Sequence, residues 1–287
     1  MVRTATDILF FDLPTALPGG IAISPWTIRV KLAMDYKRLS YTVQNVEFGD
    51  IERVCRENNL PPTGTHPDGS PYFTLPAIID RTGSPAVEPR RISDSLKIME
   101  YLDVTYLDSD KPIFPSIHDG VGFTSIHVLA SSKFGDALYP SLRPLIMEKV
   151  YEVQTEKSKE PWRTRHETLY KRTLAELGAG PAGSDSREKA WAEAEKMFED
   201  VGKSMDVHEH DDNQRFTALG PVIGRLVRAY QGHRWLMGDK PTYADFVLVS
   251  FLGMVKLVDP EDGWVRISSW SGGRWGRNVA EMEKLLR

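Results

Sequence analysis

Apolar patterns typical of β-strands are concentrated in the first 104 residues and almost disappear after them. In the first part, short apolar runs alternate with helical spacing in the order β-α-β-α-β-(β)-α. Beyond it, helical spacing recurs in residues 114–155, 163–177, 186–205, 216–231 and 242–257. We therefore predict an α/β domain over residues 1–104 and an all-α, helical-bundle domain over residues 105–287. The polar, proline-containing segment 103–115 is the predicted linker.

Composition excludes several classes of protein. The 287 residues are 41% hydrophobic and 26% charged, as in ordinary globular proteins. A net charge of −4, without a dense Lys/Arg run, argues against a nucleic-acid partner. The N-terminus lacks the pattern of a signal peptide, and no apolar run approaches the ~18 residues of a membrane span. Because Cys55 is the only cysteine, a disulfide framework is excluded, and a cytoplasmic location is expected.

The start of the first helix is the most informative local feature. Residues 7–13 read as a buried strand, and a loop with two glycines follows. Ser24 and Pro25 come next, directly before a helical pattern. Since serine is a preferred N-cap and proline is favoured at the first helical position, a helix is predicted to begin at Pro25. A hydroxyl and free backbone N–H groups at the positive end of a helix suit an anion such as a thiolate. In the alternative interpretation, Ser24 is only a cap.

A proline interrupts the third predicted strand, residues 72–80. Since Pro76 cannot donate to a sheet, it predicts either an edge strand or a special bend. A cis peptide between Leu75 and Pro76 would serve such a bend. A further helix is predicted to begin at Ser93, where Ser93 or Asp94 could act simply as a cap.

Two patterns resemble known sites but occur in the wrong context. Residues 178–183 fit the letters of a dinucleotide-binding glycine motif, yet they follow a helical pattern rather than a strand, which favours a loop. Residues 208–212 contain metal-binding residue types in a polar interval between helices, without a second ligand cluster, which favours a solvated loop. We therefore expect no metal site.

Four motifs together resemble the glutathione transferase superfamily. They are Ser24-Pro25 at the first helix, Leu75-Pro76 at the third strand, Asp94-Ser95 at the third helix, and residues 238–245, GDKPTYAD. In the last motif, Thr242 and Asp245 are suited to cap a helix reciprocally. The resemblance implies a thioredoxin-like N-terminal domain, a helical C-terminal domain and a homodimer.

Finer motifs resemble fungal transferases of the fungal-specific A class, which are related to bacterial β-etherases. The motifs are SPWTIR, YFTLPAIID and ISDSLKIMEYLD. The chain departs from a standard transferase in its long loop at residues 60–71, near the usual contact to the glycine carboxylate of glutathione. His66 is a weak candidate for that contact.

The resemblance implies glutathione as co-substrate and a role for each motif residue. Ser24 would stabilise the glutathione thiolate, and the backbone of Leu75, before Pro76, would pair with the tripeptide. Asp94 would accept from the γ-glutamyl ammonium, while Ser95 would hold its carboxylate. If Ser24 is only a cap, the next candidates for stabilising the thiolate are the backbone N–H groups of Trp26 and Thr27 or the Thr27 hydroxyl.

The second substrate is expected between the domains, where the aromatic candidates are Phe123, Phe134, Tyr139 and Trp162. The class resemblance favours aromatic acceptors derived from lignin or plant phenols. Three functions stay open: a transferase or β-etherase that conjugates or cleaves such compounds in detoxification, a ligandin-type binding protein, and a regulatory protein without chemistry. The intact motif residues disfavour the third, and serine rather than cysteine at position 24 disfavours thiol–disulfide exchange.

Overall fold

A computed structural model describes residues 4–84, 86–108, 110–114, 124–210, 235 and 240–286; for residues 124–137 and 204–210 it describes the backbone alone. Within these residues, the N-terminal part contains β1 Thr4–Asp12, α1 Pro25–Tyr36, β2 Leu39–Asn45, α2 Ile51–Glu57, β3 Gly64–Thr65, β4 Pro71–Tyr72, β5 Ala77–Asp80, β6 Arg90–Ser93 and α3 Ser95–Thr105. The C-terminal part contains α4 Thr124–Glu152, α5 Glu156–Tyr170, α6 Leu174–Leu177, α7 Asp185–His210, α8 Tyr243–Val258 and α9 Gly263–Leu285.

The main sheet has the strand order β2-β1-β5-β6. Strand β1 runs parallel to β2, whereas β5 is antiparallel to both of its neighbours. Successive side chains of a strand point to opposite faces. Accordingly, Phe10 and Ile78 pack with α1 and α3, while Phe11 and Ile79 pack with α2 on the other face. This arrangement confirms the predicted thioredoxin-like α/β domain, followed by helices.

Two predictions about local structure need correction. Strand β5 begins at Ala77 rather than at residue 72, and it lies inside the sheet, so Pro76 marks a bend before an internal strand rather than an edge. The peptide between Leu75 and Pro76 is cis. The predicted loop 60–71 contains β3 and the first residue of β4, which form a two-stranded antiparallel pair. Two-residue strands are too short to leave a periodic pattern in the sequence.

The helical predictions are mostly confirmed. Residues 163–177 fall on two helices, α5 and α6, because Lys171 takes a left-handed conformation with φ of 52°. Helix α9 is not predicted from the sequence. Residues 270–273 of this helix depart from helical geometry, so no continuous helical periodicity runs through it. The helix predicted at residues 216–231 lies outside the described residues. None of the described helices has the length and apolar character needed to cross a membrane.

The linker is held by a buried lysine. Lys37 Nζ lies 2.8 Å from Asp103 Oδ1 and donates to the carbonyl oxygens of Tyr106 and Lys111 at 3.0 and 3.2 Å. The Asp103 carboxylate also accepts from the backbone N–H of Ile113 at 2.9 Å. The chain after α3 is therefore bound to the N-terminal domain before it reaches the helical one. The exact domain boundary at 104/105 stays a prediction.

Helix α8 packs against α1, α4 and α9 and carries buried residues on all of its sides. At its start, the carboxylate of Asp245, itself 1% exposed, accepts from the Thr242 backbone N–H at 2.9 Å and from the Thr242 hydroxyl at 3.0 Å. The sequence predicts this acidic partner of the cap. One apolar core extends from the sheet through α1 to α8 and α4.

Replacing the acidic cap should destabilise the protein. We expect Asp245→Ala to lower the free energy of unfolding by about 0.5–2 kcal/mol, because two buried donors of Thr242 lose their acceptor. Chemical denaturation measures the change. Asp200→Ala, at an exposed position of α7, is the matched control and should leave the midpoint unchanged. Equal midpoints for Asp245→Ala and the unmodified protein would contradict the assignment.

Candidate functional site

The five residues that the sequence singles out lie on one cleft of about 360 Å³. The cleft is bounded by the starts of α1, β5 and α3 on one side and by α4 and α5 on the other. The predicted residues that line it are Ser24, Leu75, Pro76, Asp94 and Ser95. Since they are up to about 70 positions apart, folding alone brings them together.

Ser24 is the N-cap of α1, but its side chain makes no capping hydrogen bond within the described residues. Its carbonyl oxygen accepts from the backbone N–H of Ile28 at 2.9 Å. The first N–H groups of a helix have no partner inside the helix, and they carry its positive dipole end. The hydroxyl is therefore available to a ligand at an electropositive helix start.

Thr27 is not available in the same way. It is fully buried, and its hydroxyl donates to the Ser24 carbonyl oxygen at 3.1 Å. Thr27 is not among the residues that line the cleft. Of the two hydroxyls considered from the sequence, only that of Ser24 faces the cavity.

The backbone of Leu75 offers an unused edge. Among the described residues, neither its N–H nor its carbonyl oxygen has a hydrogen-bond partner. The carbonyl oxygen of Pro76, next along the chain, accepts from the Asp94 backbone N–H at 3.3 Å. An extended peptide can satisfy the two Leu75 groups by adding beside the chain.

Asp94 caps α3, as the simpler interpretation expected. Its Oδ1 accepts from the backbone N–H groups of Leu96 and Lys97 at 3.0 and 3.1 Å, and its backbone φ is 87°. The other carboxylate oxygen takes no part in these bonds. Ser95 lies at the first position of α3, buried against the cleft. Capping and ligand binding by Asp94 can therefore use different oxygens.

A buried arginine behind the cleft has no signal in the sequence patterns. Arg29 donates from Nε to the Pro25 carbonyl oxygen at 3.2 Å, and its Nη2 is buried without a partner in the described residues. Burial lowers the pKa of Arg29, and its interactions with Tyr243 and with the Asp94 carboxylate oppose this shift. Arg29 thus places a positive charge close to Asp94.

Two of the four predicted aromatic residues, Tyr139 and Trp162, line the cleft. Phe123 lies outside the described residues, and at Phe134 the structure describes the backbone alone. Tyr139 contacts the rings of Trp26 and Phe251, with centroids 6.0 and 5.5 Å away. Burial raises the pKa of Tyr139 to about 12, so its phenol is neutral at physiological pH.

His166 was not identified from the sequence. Its ring stacks on Trp162 at a centroid distance of 3.8 Å, and its Nδ1 lies 2.7 Å from the Trp162 carbonyl oxygen. Burial lowers the pKa of His166, and the neighbouring Arg165 charge lowers it further, while the Trp162 carbonyl opposes both. The neutral imidazole contributes a flat ring to the cleft.

Arg165 and Arg143 complete the helical wall, and sequence reasoning identified neither. The Arg165 guanidinium lies 4.6 Å from the ring centroid of Tyr72 and 5.4 Å from that of Phe48. Burial lowers its pKa. His66, the weak sequence candidate, packs on Tyr72 at 4.8 Å and does not line the cleft. Arg165 and Arg143 reach the cleft through packing between segments distant in sequence, which local sequence patterns do not reveal.

Neither misleading motif contributes a described residue to the cleft. Residues 178–183 lie in the connection between α6 and α7, as expected for a loop. Residues 208–210 are the last three residues of α7 and are described as backbone alone, so the loop predicted there is wrong for them; residues 211–212 lie beyond the described part. Among the described side chains, no group of three His, Cys, Asp or Glu residues is placed to hold a metal ion.

Comparison with known proteins identifies the family of this fold. The family model described as glutathione S-transferase, N-terminal domain, matches residues 23–105, and that of the C-terminal domain matches residues 126–285. The glutathione S-transferase-like protein ustS of Aspergillus flavus is 28% identical over 293 residues, covering 99% of this chain and 94% of its own.

Solved structures agree with these matches. The glutathione S-transferase CsGST63524 of Ceriporiopsis subvermispora, crystallised with glutathione, is 30% identical with a TM-score of 0.78, and 97% of each chain is covered. CsGST83044 of the same organism, also in complex with glutathione, is 27% identical with a TM-score of 0.76, covering 99% of this chain and 100% of the other. The protein therefore belongs to the glutathione S-transferase family.

Proposed function

We propose that the protein binds glutathione in this cleft and transfers it to hydrophobic aromatic electrophiles. The observation that carries the proposal is the convergence of Ser24, Leu75 and Asp94, each with an unused polar group, on one cavity. Glutathione presents a thiol, a peptide backbone and a γ-glutamyl ammonium, and each requires one of these groups. The related Ceriporiopsis proteins were crystallised with the same tripeptide.

The sulfur of glutathione is assigned to Ser24. A thiolate is the reactive form of a thiol, whose pKa is about 8.5 for free cysteine. The Ser24 hydroxyl and the N-terminal N–H groups of α1 stabilise the negative sulfur and so lower the thiol pKa. The thiolate then attacks an electrophilic carbon, forming a C–S bond while the leaving group departs with the electron pair of its own bond.

We place the γ-glutamyl group and the glycine carboxylate of glutathione along the segment between Asp94 and Tyr72. Asp94 donates its backbone N–H to the Pro76 carbonyl oxygen at one end, and Arg165 covers Tyr72 at the other. Four residues span at most about 13 Å when fully extended, and the bend at Leu75 shortens that span toward the roughly 10 Å of an extended tripeptide. With the γ-glutamyl group at Asp94 and Ser95, the glycine carboxylate reaches the end where Arg165 lies. Arg165 therefore replaces His66 as our candidate for that contact.

The acceptor side is built by Tyr139, Trp162 and Tyr170, which line the helical half of the cleft. Aromatic acceptors, including aryl ethers of the kind that β-etherases cleave, suit such a wall.

The first test of the proposed function is retention of the protein on immobilised glutathione, followed by turnover of aromatic halides and β-aryl ethers. Retention together with tight binding of aromatics, but without turnover, would favour the ligandin-type alternative. The homodimer and the cytoplasmic location stay predictions.

Removing the Ser24 hydroxyl should change the acidity of bound glutathione. We expect Ser24→Ala to keep glutathione bound and to raise its thiol pKa by about one to two units, since a charge-assisted hydrogen bond is worth ~1.5–3 kcal/mol and one unit is 1.36 kcal/mol. Ultraviolet titration of the thiolate and the pH–rate profile should shift together. The control is Ser269→Ala, which removes the hydroxyl of an exposed serine on α9. Curves that superimpose on those of the unmodified protein would reduce Ser24 to an N-cap.

The two roles of Asp94 can be separated by two substitutions. Asp94→Asn keeps an oxygen for the cap but loses the charge, so glutathione affinity should fall by ~1.5–3 kcal/mol with stability nearly retained. Asp94→Ala should lose the same affinity and, in addition, about 0.5–2 kcal/mol of unfolding free energy. Calorimetry and chemical denaturation measure the two effects. Unchanged glutathione affinity in Asp94→Asn would restrict Asp94 to capping.

The Arg165 contact can be tested with the ligand as well as the protein. We expect Arg165→Gln to weaken glutathione binding by ~1.5–3 kcal/mol, because a charged hydrogen bond to the glycine carboxylate is lost. Glutathione esterified at its glycine carboxyl should bind equally to both proteins. Arg163→Gln, two positions away on α5 and paired with Glu160, is the matched control. Equal losses for glutathione and its ester would exclude the contact.

A further inference from the structure

One arginine of the cleft is left without an assigned partner. Arg143 lies on α4, one helical turn after Tyr139, and both residues line the cavity. The Arg143 guanidinium lies over the ring of Tyr170, with its carbon 4.3 Å from the ring centroid. Ring stacking of this kind fixes an arginine while leaving the edges of its guanidinium free to donate.

One polar group of Arg143 is unsatisfied. Its Nε is buried and has no hydrogen-bond partner among the described residues. No ion pair between Arg143 and a described carboxylate occurs either. Buried donors are normally paired, and leaving one unpaired costs free energy. A ligand that supplies anionic oxygens would satisfy the group.

The charges around the cleft support an anion. The charged side chains that line it are Asp94, Arg143 and Arg165, with His166 as a neutral ring. Asp94 already gives one oxygen to the α3 cap, and Arg165 is assigned to glutathione. Arg143 is therefore the one cation of this described lining that glutathione leaves free.

The surroundings of Arg143 are aromatic. Burial and the nearby Tyr170 hydroxyl raise the pKa of Tyr139, while the positive charge of Arg143 opposes this shift. Trp26, at the start of α1, contacts Tyr139 and connects this cluster to the helix that carries Ser24. A ligand seated here meets a cation, phenol groups and ring faces close to the proposed position of sulfur.

We propose that the acceptor substrate is an aromatic anion, with a carboxylate or similar group bound by Arg143 and its ring packed against Tyr139 and Tyr170. This inference rests on the proposed function, because it places the second substrate beside glutathione in the same cleft. A carboxylate matches the planar, two-pronged donor geometry of a guanidinium. Arg143 is thus a specificity-determining residue for anionic aromatics.

Two matched electrophiles test the inference: 4-chloro-3,5-dinitrobenzoate and its neutral carboxamide. In both, the glutathione thiolate attacks the chlorinated ring carbon, the C–S bond forms, chloride leaves and the thiol proton goes to solvent. With saturating glutathione, the KM for the carboxylate should be about tenfold or more below that for the carboxamide, because a charged hydrogen bond distinguishes them. Arg143→Gln should abolish that difference, and Arg143→Lys should retain part of it.

Direct binding makes the test independent of turnover. Calorimetry should show tighter binding of 3,5-dinitrobenzoate than of 3,5-dinitrobenzamide, with the preference lost in Arg143→Gln and kept in the control Arg163→Gln. The proposal is overturned if the two ligands bind alike in the unmodified protein, or if Arg143→Gln weakens both equally. It is also overturned if Arg143→Gln weakens glutathione itself, which would place Arg143 in the glutathione site. Absence of glutathione binding altogether would instead reject the proposed function.

Discussion

Burial of α8 is the constraint on which both domains depend. This helix has apolar side chains on all sides, so it is stable only when neighbouring helices cover it completely. Helices α4 and α9 cover two sides, and α1 of the N-terminal domain covers another. The contact includes Tyr36 with Phe246, whose ring centroids are 5.5 Å apart. The two domains consequently share one apolar core, and the cleft forms at the edge of this shared surface.

The same contact positions the N-terminal end of α1, where Ser24 lies. Its first turn starts at the cleft, while its later residues pack into the core with α8. Trp26 contacts both Tyr139 of α4 and Phe251 of α8, each at 6.0 Å between ring centroids. The proposed ligand contacts come from a helix N-cap, a second N-cap and a residue two positions before a strand. Backbone groups at such ends lack regular partners, which makes them available to a peptide ligand.

Arginines in the cleft are treated differently from those on the surface. Arg53, Arg56 and Arg266 each pair with carboxylates on exposed faces, where such pairs contribute little stability. Arg143 and Arg165 also lie over aromatic rings, but they have no carboxylate partner among the described residues. Aromatic faces support a partly desolvated guanidinium while leaving its hydrogen-bond donors unused. This arrangement is what the proposed anionic ligands require.

The sequence by itself determined the order of elements, the change from α/β to all-α, and the caps at Ser24, Asp94 and Thr242. These features depend on residues a few positions apart, such as proline at the first position of α1 or the acidic partner at Asp245. At Pro76 it predicted either an edge strand or a bend, and only the structure shows that β5 is internal. It did not predict α9, because a glycine-containing interruption breaks the periodicity of this helix.

Only the tertiary structure decided how these ends form a site. It left the Ser24 hydroxyl unused while engaging that of Thr27, and it separated the two oxygens of Asp94. It also brought Arg143 and Arg165 to the cleft from helices whose apolar periodicity does not single these two residues out. The physical reason is that caps and turns are set by neighbours along the chain. The lining of a cleft is set by packing between segments about 50 to 140 residues apart, which no local pattern encodes.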